Sequence, residues 1–193
     1  MELKDLVSKN RSYRRFDAAV PIASNTLEQL VGLARFSPTG SNKQPLKFVL
    51  ACTTEWNAKI FSCLAWAGFL TEWPGPSETE RPTGYIVILV DKSINESAPK
   101  DVGIAAQTIL LGAVEKGLGG CMIGSVKQAS LARMLELPDQ LEISLVVALG
   151  KPVENVVLED AEQGASTKYY RDENQTHHVP KRKLDELVFK TLA

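Results

Sequence analysis

The chain has 193 residues, of which 44% are hydrophobic and 23% charged, and this composition is typical of one ordinary globular domain. It carries 22 Lys and Arg against 23 Asp and Glu, and a net charge of −1 excludes the strongly basic surface that binds nucleic acid or an anionic membrane. No apolar run reaches the roughly 18 residues of a membrane-spanning helix, and residues 1–5 show no apolar signal core. We expect a single domain over residues 1–193, located in the cytoplasm.

Cysteine and histidine spacing argues against a metal centre. Cys52, Cys63 and Cys121 lie far apart without a CxxC pair, so neither a disulfide framework nor a thiolate zinc site is indicated. His177 and His178 are adjacent and would point to opposite sides of an extended segment. We expect no metal site and interpret both histidines as structural or surface residues.

The first predicted element is a short amphipathic helix near residues 3–7, which leads into Arg11-Ser12-Tyr13-Arg14-Arg15-Phe16. Guanidinium groups stay charged at physiological pH and present forked donors to phosphate oxygens, and the serine hydroxyl adds another donor. If the turn is helical, Arg11 and Arg14 share one face. Phe16 is expected to anchor the segment in the core. These six residues alone allow either a phosphate clamp or an exposed basic turn.

A second helix is predicted over residues 26–35, capped by Ser24 or Asn25. The loop that follows, Ser37-Pro38-Thr39-Gly40-Ser41-Asn42-Lys43-Gln44-Pro45, is rich in turn formers and in side chains that both donate and accept hydrogen bonds. It opens into an apolar strand at residues 47–53. Loops at strand ends commonly carry sites, whereas composition alone favours a plain surface loop.

The middle of the chain alternates between apolar elements and one irregular stretch. Apolar spacing predicts a helix from Glu55 to Thr71, and the proline-rich stretch 71–83 cannot be regular throughout. Its Trp73 either offers a stacking surface on a lid or interface loop, or packs into its own domain, which is the commoner outcome. A buried strand at 85–90 and a helix at 101–116, apolar nearly all round, are predicted next.

The last third begins with the glycine-rich segment 117–125, where a backbone can approach a flat ligand. A helix at 127–135 and an apolar strand at 143–149 follow. The polar, basic tail then leads into a predicted amphipathic helix from Leu184 to Leu192. Strands separated by helices predict an α+β sandwich around a sheet of four or five strands.

Familiar nucleotide and hydrolase motifs fail on spacing. A GxGxxG fingerprint from Gly117 would need glycine at Met122, and a P-loop ending at Lys151 would need glycine at Leu145. No GxSxG motif or carboxylate pair supports hydrolysis. Phosphate donors, an amide-rich loop and a glycine-rich segment suggest chemistry carried by a cofactor, and a flavin mononucleotide (FMN) would satisfy this set.

These motifs resemble those of the nitroreductase-like, FMN-dependent oxidoreductases over nearly the whole chain. Residues 11–16 are similar to the family's RSxRxF phosphate motif, residues 37–45 to its SxxNxQPW loop, and residues 117–124 to its GLGxCxxG turn. Residues 148–152 and 180–182 fall where the family has its last strand and a phosphate-binding basic residue.

The resemblance implies a nitroreductase-like α+β fold with a mixed, mostly antiparallel central sheet flanked by helices. It also implies a homodimer with FMN at the interface. The implied activity is ping-pong hydride transfer, in which NADH or NADPH reduces FMN and a nitroaromatic, quinone or similar small acceptor then takes the electrons. No side chain need act as a general acid, so no catalytic residue is assigned.

The resemblance implies four groups of cofactor-binding residues. The phosphate and ribityl chain would be held by Arg11, Ser12, Arg14 and Arg182, with Lys181 as a weaker candidate. The other subunit would contribute Pro38, Thr39, Gly40 and Ser41. Near the ring, or supporting the loop, would lie Asn42 and Gln44, and the isoalloxazine ring would be faced by Ile123 and Gly124.

Two departures from the family pattern concern packing and substrate. Leu46 replaces the tryptophan of the QPW motif, which is expected to alter packing and not chemistry. The region from Trp66 to Pro82 is where the family varies most and is expected to shape the substrate pocket. Two alternatives therefore stay open: a branch that uses FMN for dehalogenation, dehydrogenation or FMN breakdown, and a flavin-binding or storage protein without NAD(P)H turnover.

Overall fold

The computed structural model describes residues 1–192, which divide into two compact units. The first unit comprises residues 1–66 and 75–153, and the second comprises residues 67–74 and the chain from residue 154 onward. Among the described residues, no helix combines the length and the apolar character needed to traverse a bilayer.

The first unit is built on a four-stranded sheet in which every pairing is antiparallel. Its strands are β1 (Leu46–Ala51), β2 (Gly84–Asp91), β3 (Gly119–Ile123) and β4 (Leu141–Gly150), in the order β1-β2-β4-β3. Its helices are α1 (Leu3–Lys9), α2 (Ser24–Ala34), α3 (Thr54–Phe61), α4 (Pro99–Glu115) and α5 (Gln128–Met134). The predicted α+β class is confirmed.

Helices cover both faces of this sheet. Successive side chains of a strand point to opposite sides, and a strand that is apolar throughout therefore presents two faces that must be buried. On one face, Ile86 and Ile88 of β2 belong to an apolar cluster that includes residues of α2 and α4. On the other face, Val87 and Leu89 belong to a cluster that includes residues of α3 and α5. Both strand faces are therefore buried, as the continuous apolar run at 85–90 predicted.

The second unit contains a smaller mixed sheet that the sequence reading did not predict. Its strands are β5 (Val156–Ala161), β6 (Tyr170–Arg171) and β7 (His177–Arg182), in the order β5-β7-β6. β5 and β7 are parallel, whereas β6 and β7 are antiparallel. A one-turn helix, α6 (Leu184–Leu187), follows β7.

Two predicted helices are wrong in extent. The helix predicted to run to Thr71 ends at Phe61, since the chain beyond it pairs with another segment: Ala65 N–H donates to Ser125 at 3.0 Å and Lys127 N–H donates to Cys63 at 2.8 Å. The final helix, predicted to reach Leu192, stops at Leu187. Its apolar residues are exposed, and a short helix without a packed face is marginal in water.

Candidate cofactor site

The arginine segment, residues 11–16, is extended instead of helical. Ser12 forms a parallel bridge with Gly120 of β3, and Tyr13 N–H donates to the Gly120 carbonyl at 3.0 Å. Phe16 is fully buried, which confirms its predicted role as an anchor. The segment therefore lies along β3, and the shared helical face considered for its arginines does not form.

Glycines in β3 allow this close approach of the arginine segment. A Cβ at Gly119 would lie 2.5 Å from the Tyr13 ring, and a Cβ at Gly120 would lie 2.5 Å from the Ala148 carbonyl oxygen. The Cβ positions of these two glycines are thus filled by the chain's own packing, and the contact of the glycine-rich segment with a flat ligand stays a prediction. Gly124, just beyond β3, has no atom within 4 Å of such a Cβ and is open.

Two arginines of the segment bond to backbone carbonyls, and Ser12 between them is exposed. Arg14 Nη1 donates to the Ser12 carbonyl at 3.2 Å, and the Ser12 side chain faces solvent. Arg11 Nη2 donates to the Val7 carbonyl at 2.9 Å, while its Nε is buried without a hydrogen-bond partner among residues 1–192. Burial lowers the pKa of the Arg11 guanidinium, an effect that Tyr13 partly offsets, and the group remains protonated at neutral pH.

This donor set fits a phosphate group. The guanidinium groups of Arg11 and Arg14 carry two positive charges, which match the −1.5 to −2 of a phosphate monoester. The unpartnered Arg11 Nε and the Ser12 hydroxyl supply further donors. From Gly120, which pairs with Ser12, to Gly124 the chain advances about 13 Å, so one strand links the phosphate donors to an open position.

Ile123 and Gly124 end the glycine-rich segment in different environments. The Ile123 side chain is buried in the apolar cluster on the α3 and α5 side of the sheet. A flat ligand can therefore contact only the backbone of Ile123, together with the exposed Gly124. This pair lies at the end of β3, the strand on which the arginine segment docks through Ser12 and Gly120.

The loop at 37–45 is shaped by unusual backbone angles. It contains a 3₁₀ turn over Gly40–Asn42, and Ser41, Asn42 and Gln44 have φ of 51°, 53° and 52°. Left-handed backbone in residues other than glycine costs energy and concentrates at functional sites. The Gln44 amide donates to Asn42 Oδ1 at 3.2 Å, so the two amide side chains support each other.

Helix α4 holds this loop through residues that sequence reasoning missed. Asp101, 7% exposed, accepts the Gly40 N–H at 3.0 Å, and Thr108 shares a 2.9 Å hydrogen bond with Ser37. Behind the loop lies a cavity of about 360 Å³ bounded by α2, β1 and α4, with Pro38 and Thr39 in its wall. The available signal was the seven-residue spacing of Asp101 and Thr108, which places both side chains on one face of a helix rich in apolar residues.

Arg182 and Lys181 belong to the second unit. Both lie at the end of β7, where Arg182 Nη1 donates to Glu186 at 3.3 Å and keeps half of its side chain exposed. The predicted phosphate role of Arg182 stays a prediction. His177, 1% exposed, is structural as expected. Within residues 1–192, no group of His, Cys, Asp and Glu is arranged to hold a metal ion.

Comparisons with known proteins place this geometry in a family. The model of the Nitroreductase family matches residues 7–151, so the chain belongs to that family. A curated relative from Methanothermobacter thermautotrophicus, named "Putative NADH dehydrogenase/NAD(P)H nitroreductase", is 24% identical over a 164-residue alignment, and the match covers 80% of each chain.

Solved structures share the fold at low identity. An FMN-dependent nitroreductase from Clostridium difficile R20291 is 22% identical with a TM-score of 0.65, and the match covers 79% of this chain and 89% of that one. A nitroreductase family protein from Clostridium difficile 630 is 19% identical with a TM-score of 0.70, and the match covers 100% of both chains. The second similarity extends the shared fold beyond the residues matched by the family model.

Proposed function

We propose that this protein is an FMN-dependent NAD(P)H oxidoreductase that reduces nitroaromatics, quinones or similar small acceptors. As a member of the Nitroreductase family, the chain is an oxidoreductase whose cofactor is FMN. The observation that carries the proposal is the arginine segment docked on β3, with two guanidinium groups and an exposed hydroxyl. The names of the relatives from M. thermautotrophicus and C. difficile R20291 support the same reductant and cofactor.

In this proposal the chain binds and orients, and the cofactor reacts. Arg11, Ser12 and Arg14 would hold the phosphate, while the backbone at Ile123 and Gly124 would offer a surface for the ring. Bound FMN would supply the hydride-transfer chemistry that links NADH or NADPH to the acceptor in a ping-pong cycle. Burial raises the pKa of the Tyr85 hydroxyl, so this tyrosine stays protonated and in the core, and no general acid is assigned.

We also infer a homodimer in which the 37–45 loop of one subunit completes the site of the other. Pro38, Gly40, Ser41, Asn42 and Gln44 are all exposed in the single chain, and Thr39 is half-buried. The strained backbone of this loop supports a binding role, because strain persists where the surrounding structure maintains it. We likewise propose that residues 1–193 form one functional domain, that the protein is cytoplasmic, and that the acceptor is a nitroaromatic, a quinone or a similar small molecule.

The phosphate clamp is tested by Arg14→Ala. Losing a charge-assisted donor should weaken FMN binding by roughly 1.5–3 kcal/mol, measured as the Kd from flavin fluorescence quenching. Arg133→Ala, which removes an exposed arginine of α5, is the matched control and should leave the Kd unchanged. An unchanged Kd for Arg14→Ala would reject the clamp.

The shared site is tested by mixing subunits. Heterodimers that combine one Arg14→Ala subunit with one Gln44→Ala subunit should regain one intact FMN site per dimer, because the clamp and the loop then come from different chains. If both came from the same chain, no heterodimer site would be intact. NAD(P)H oxidation by the FMN-loaded wild type separates an enzyme from a storage protein, which would bind FMN without turnover.

A further inference from the structure

Arg15 is the one arginine of the segment to which the resemblance assigns no role. Its guanidinium forms a bidentate ion pair with the carboxylate of Glu80: Nε lies 3.0 Å from both Oε1 and Oε2, and Nη2 lies 2.6 Å from Oε1. Both side chains are about one quarter exposed. A partly buried, bidentate pair of this kind is stronger and more directional than an ordinary surface ion pair.

Glu80 also holds the backbone next to Arg15. Its carbonyl accepts the Phe16 N–H at 3.0 Å, so one residue fixes both the side chain at 15 and the main chain at 16. The Arg15 carbonyl in turn accepts the Val153 N–H at 3.1 Å. Glu80 lies in the 3₁₀ turn Glu78–Glu80, which precedes β2.

Arg14 therefore lies between two anchors. On its N-terminal side, Tyr13 N–H is bonded to Gly120 of β3, and on its C-terminal side, Arg15 and Phe16 are bonded to Glu80. Displacing a binding group by about 1 Å can cost as much as 100-fold in a site that depends on orientation. The second anchor is thus the part of the structure that sets where the Arg14 guanidinium can reach.

We propose that Arg15 and Glu80 form a positioning pair for the cofactor phosphate, which fixes the Arg14 backbone and takes the third guanidinium out of phosphate binding. The guanidinium groups of Arg11 and Arg14 together carry two positive charges, which match a phosphate of charge about −2. The inference rests on the proposed FMN function. It adds that the turn before β2 controls cofactor retention without touching the cofactor.

The test compares Kd for FMN in wild type, Glu80→Gln, Arg15→Gln and the double variant. Positioning by the pair predicts roughly a tenfold rise in Kd for each single variant and no further rise in the double, because the second change removes nothing that remains. Glu80→Asp keeps the carboxylate and should recover most of the affinity. With saturating FMN, kcat should match wild type in all of these variants, since the chemistry is unchanged.

Controls separate the failure modes. Glu55→Gln removes the carboxylate of another 2.6 Å ion pair, with Lys59 on α3, and should leave Kd unchanged. A folded Glu80→Gln protein with wild-type Kd, or additive effects in the double variant, would overturn the positioning role. If Glu80→Gln does not fold, Arg15→Lys replaces it, because lysine keeps the charge without the fork: a raised Kd supports positioning and an unchanged Kd overturns it. Wild-type protein that does not bind FMN would instead reject the proposed function itself.

Discussion

The two main clusters of buried residues in the first unit are apolar, whereas the interior of the second unit contains a buried ion pair. Ile86 and Ile88 of β2 are fully buried among other apolar side chains. In the second unit, the Glu154 carboxylate has no exposed area and pairs at 2.6 Å with Arg171, whose side chain is 8% exposed. The Arg171 guanidinium also lies 4.6 Å from the centre of the Trp73 ring, so Trp73 packs within its own unit.

The two interiors should tolerate different substitutions. An apolar core loses stability in proportion to the volume removed. A buried ion pair contributes little beyond an apolar pair of the same size, yet removing one partner leaves an uncompensated charge. The first unit should therefore respond to volume and the second to charge.

The largest expected effect is in the second unit. Glu154→Ala should weaken the folding of this unit by about 3–5 kcal/mol, because Arg171 would stay buried without its carboxylate. Hydrogen exchange of the β7 amides measures this change. Glu162→Ala, which removes an exposed carboxylate from a pair with Lys183, is the control and should leave β7 exchange unchanged. The apolar pair Glu154→Leu with Arg171→Met should restore protection, and failure to do so would contradict the charge argument.

The matching change in the first unit is Ile88→Ala. Removing a fully buried side chain from the centre of β2 should lower the free energy of unfolding by about 2–5 kcal/mol, measured by urea denaturation. Ile94→Ala, at a residue 40% exposed in the turn after β2, should cost far less. Equal losses for the two variants would show that packing in this sheet is not what stabilises the unit.

The smallest predicted effect is a pH dependence confined to the second unit. His178 lies between two carboxylates: its Nδ1 is bonded to Glu159, and its Nε2 is 3.3 Å from Asp172. Tyr170 stacks on the imidazole at 4.7 Å, and its hydroxyl donates to Glu159 at 3.2 Å. Hydrogen bonds to Glu159 and then to Asp172 raise the pKa of His178. The Thr176 N–H, followed by His178, lowers the pKa of Asp172.

The two shifts define a pH window. Because its pKa is raised in the folded state, His178 contributes stability that is fully present below its unfolded pKa of about 6.5 and is lost as pH rises through the folded pKa. Because its pKa is lowered in the folded state, Asp172 contributes stability that is present above its unfolded pKa of about 3.9 and is lost as pH falls through the folded pKa. The second unit should therefore be most stable between about pH 4 and 6.5.

The chain has only two histidines, so proton NMR can follow the His178 titration directly. We expect the midpoint of this titration to lie above that of an unstructured histidine. In wild type, the exchange protection of the β7 amides, corrected for intrinsic rates, should fall between pH 6 and 8.5. In His178→Asn, this fall should be absent. An unshifted midpoint would contradict the paired geometry.

Sequence reasoning recovered the first unit because its elements are periodic and apolar. Helix α4, predicted at 101–116, spans Pro99–Glu115, and the strand predicted at 85–90 lies within β2. The second sheet escaped notice because β5 carries Glu159 and Asp160 among its six residues, and β7 contains Pro180, which argues against a strand.

The candidate site divides in the same way. Motif residues such as Arg14 and Gln44 could be named in advance, since local spacing carries the resemblance. Their supports could not: Glu80 is 65 residues from Arg15, and Asp101 is 61 residues from Gly40. Such pairings depend on the fold, which short motifs do not encode.

The central claim, that this chain binds FMN and reduces it with a nicotinamide, is tested most directly by the visible absorption spectrum of the purified protein. NADH and NADPH would then be added anaerobically in separate cuvettes. We predict a yellow protein whose flavin absorption bleaches with at least one of the two reductants. A colourless protein that also fails to bind added FMN would contradict the account and leave the arginine segment as a basic surface strand.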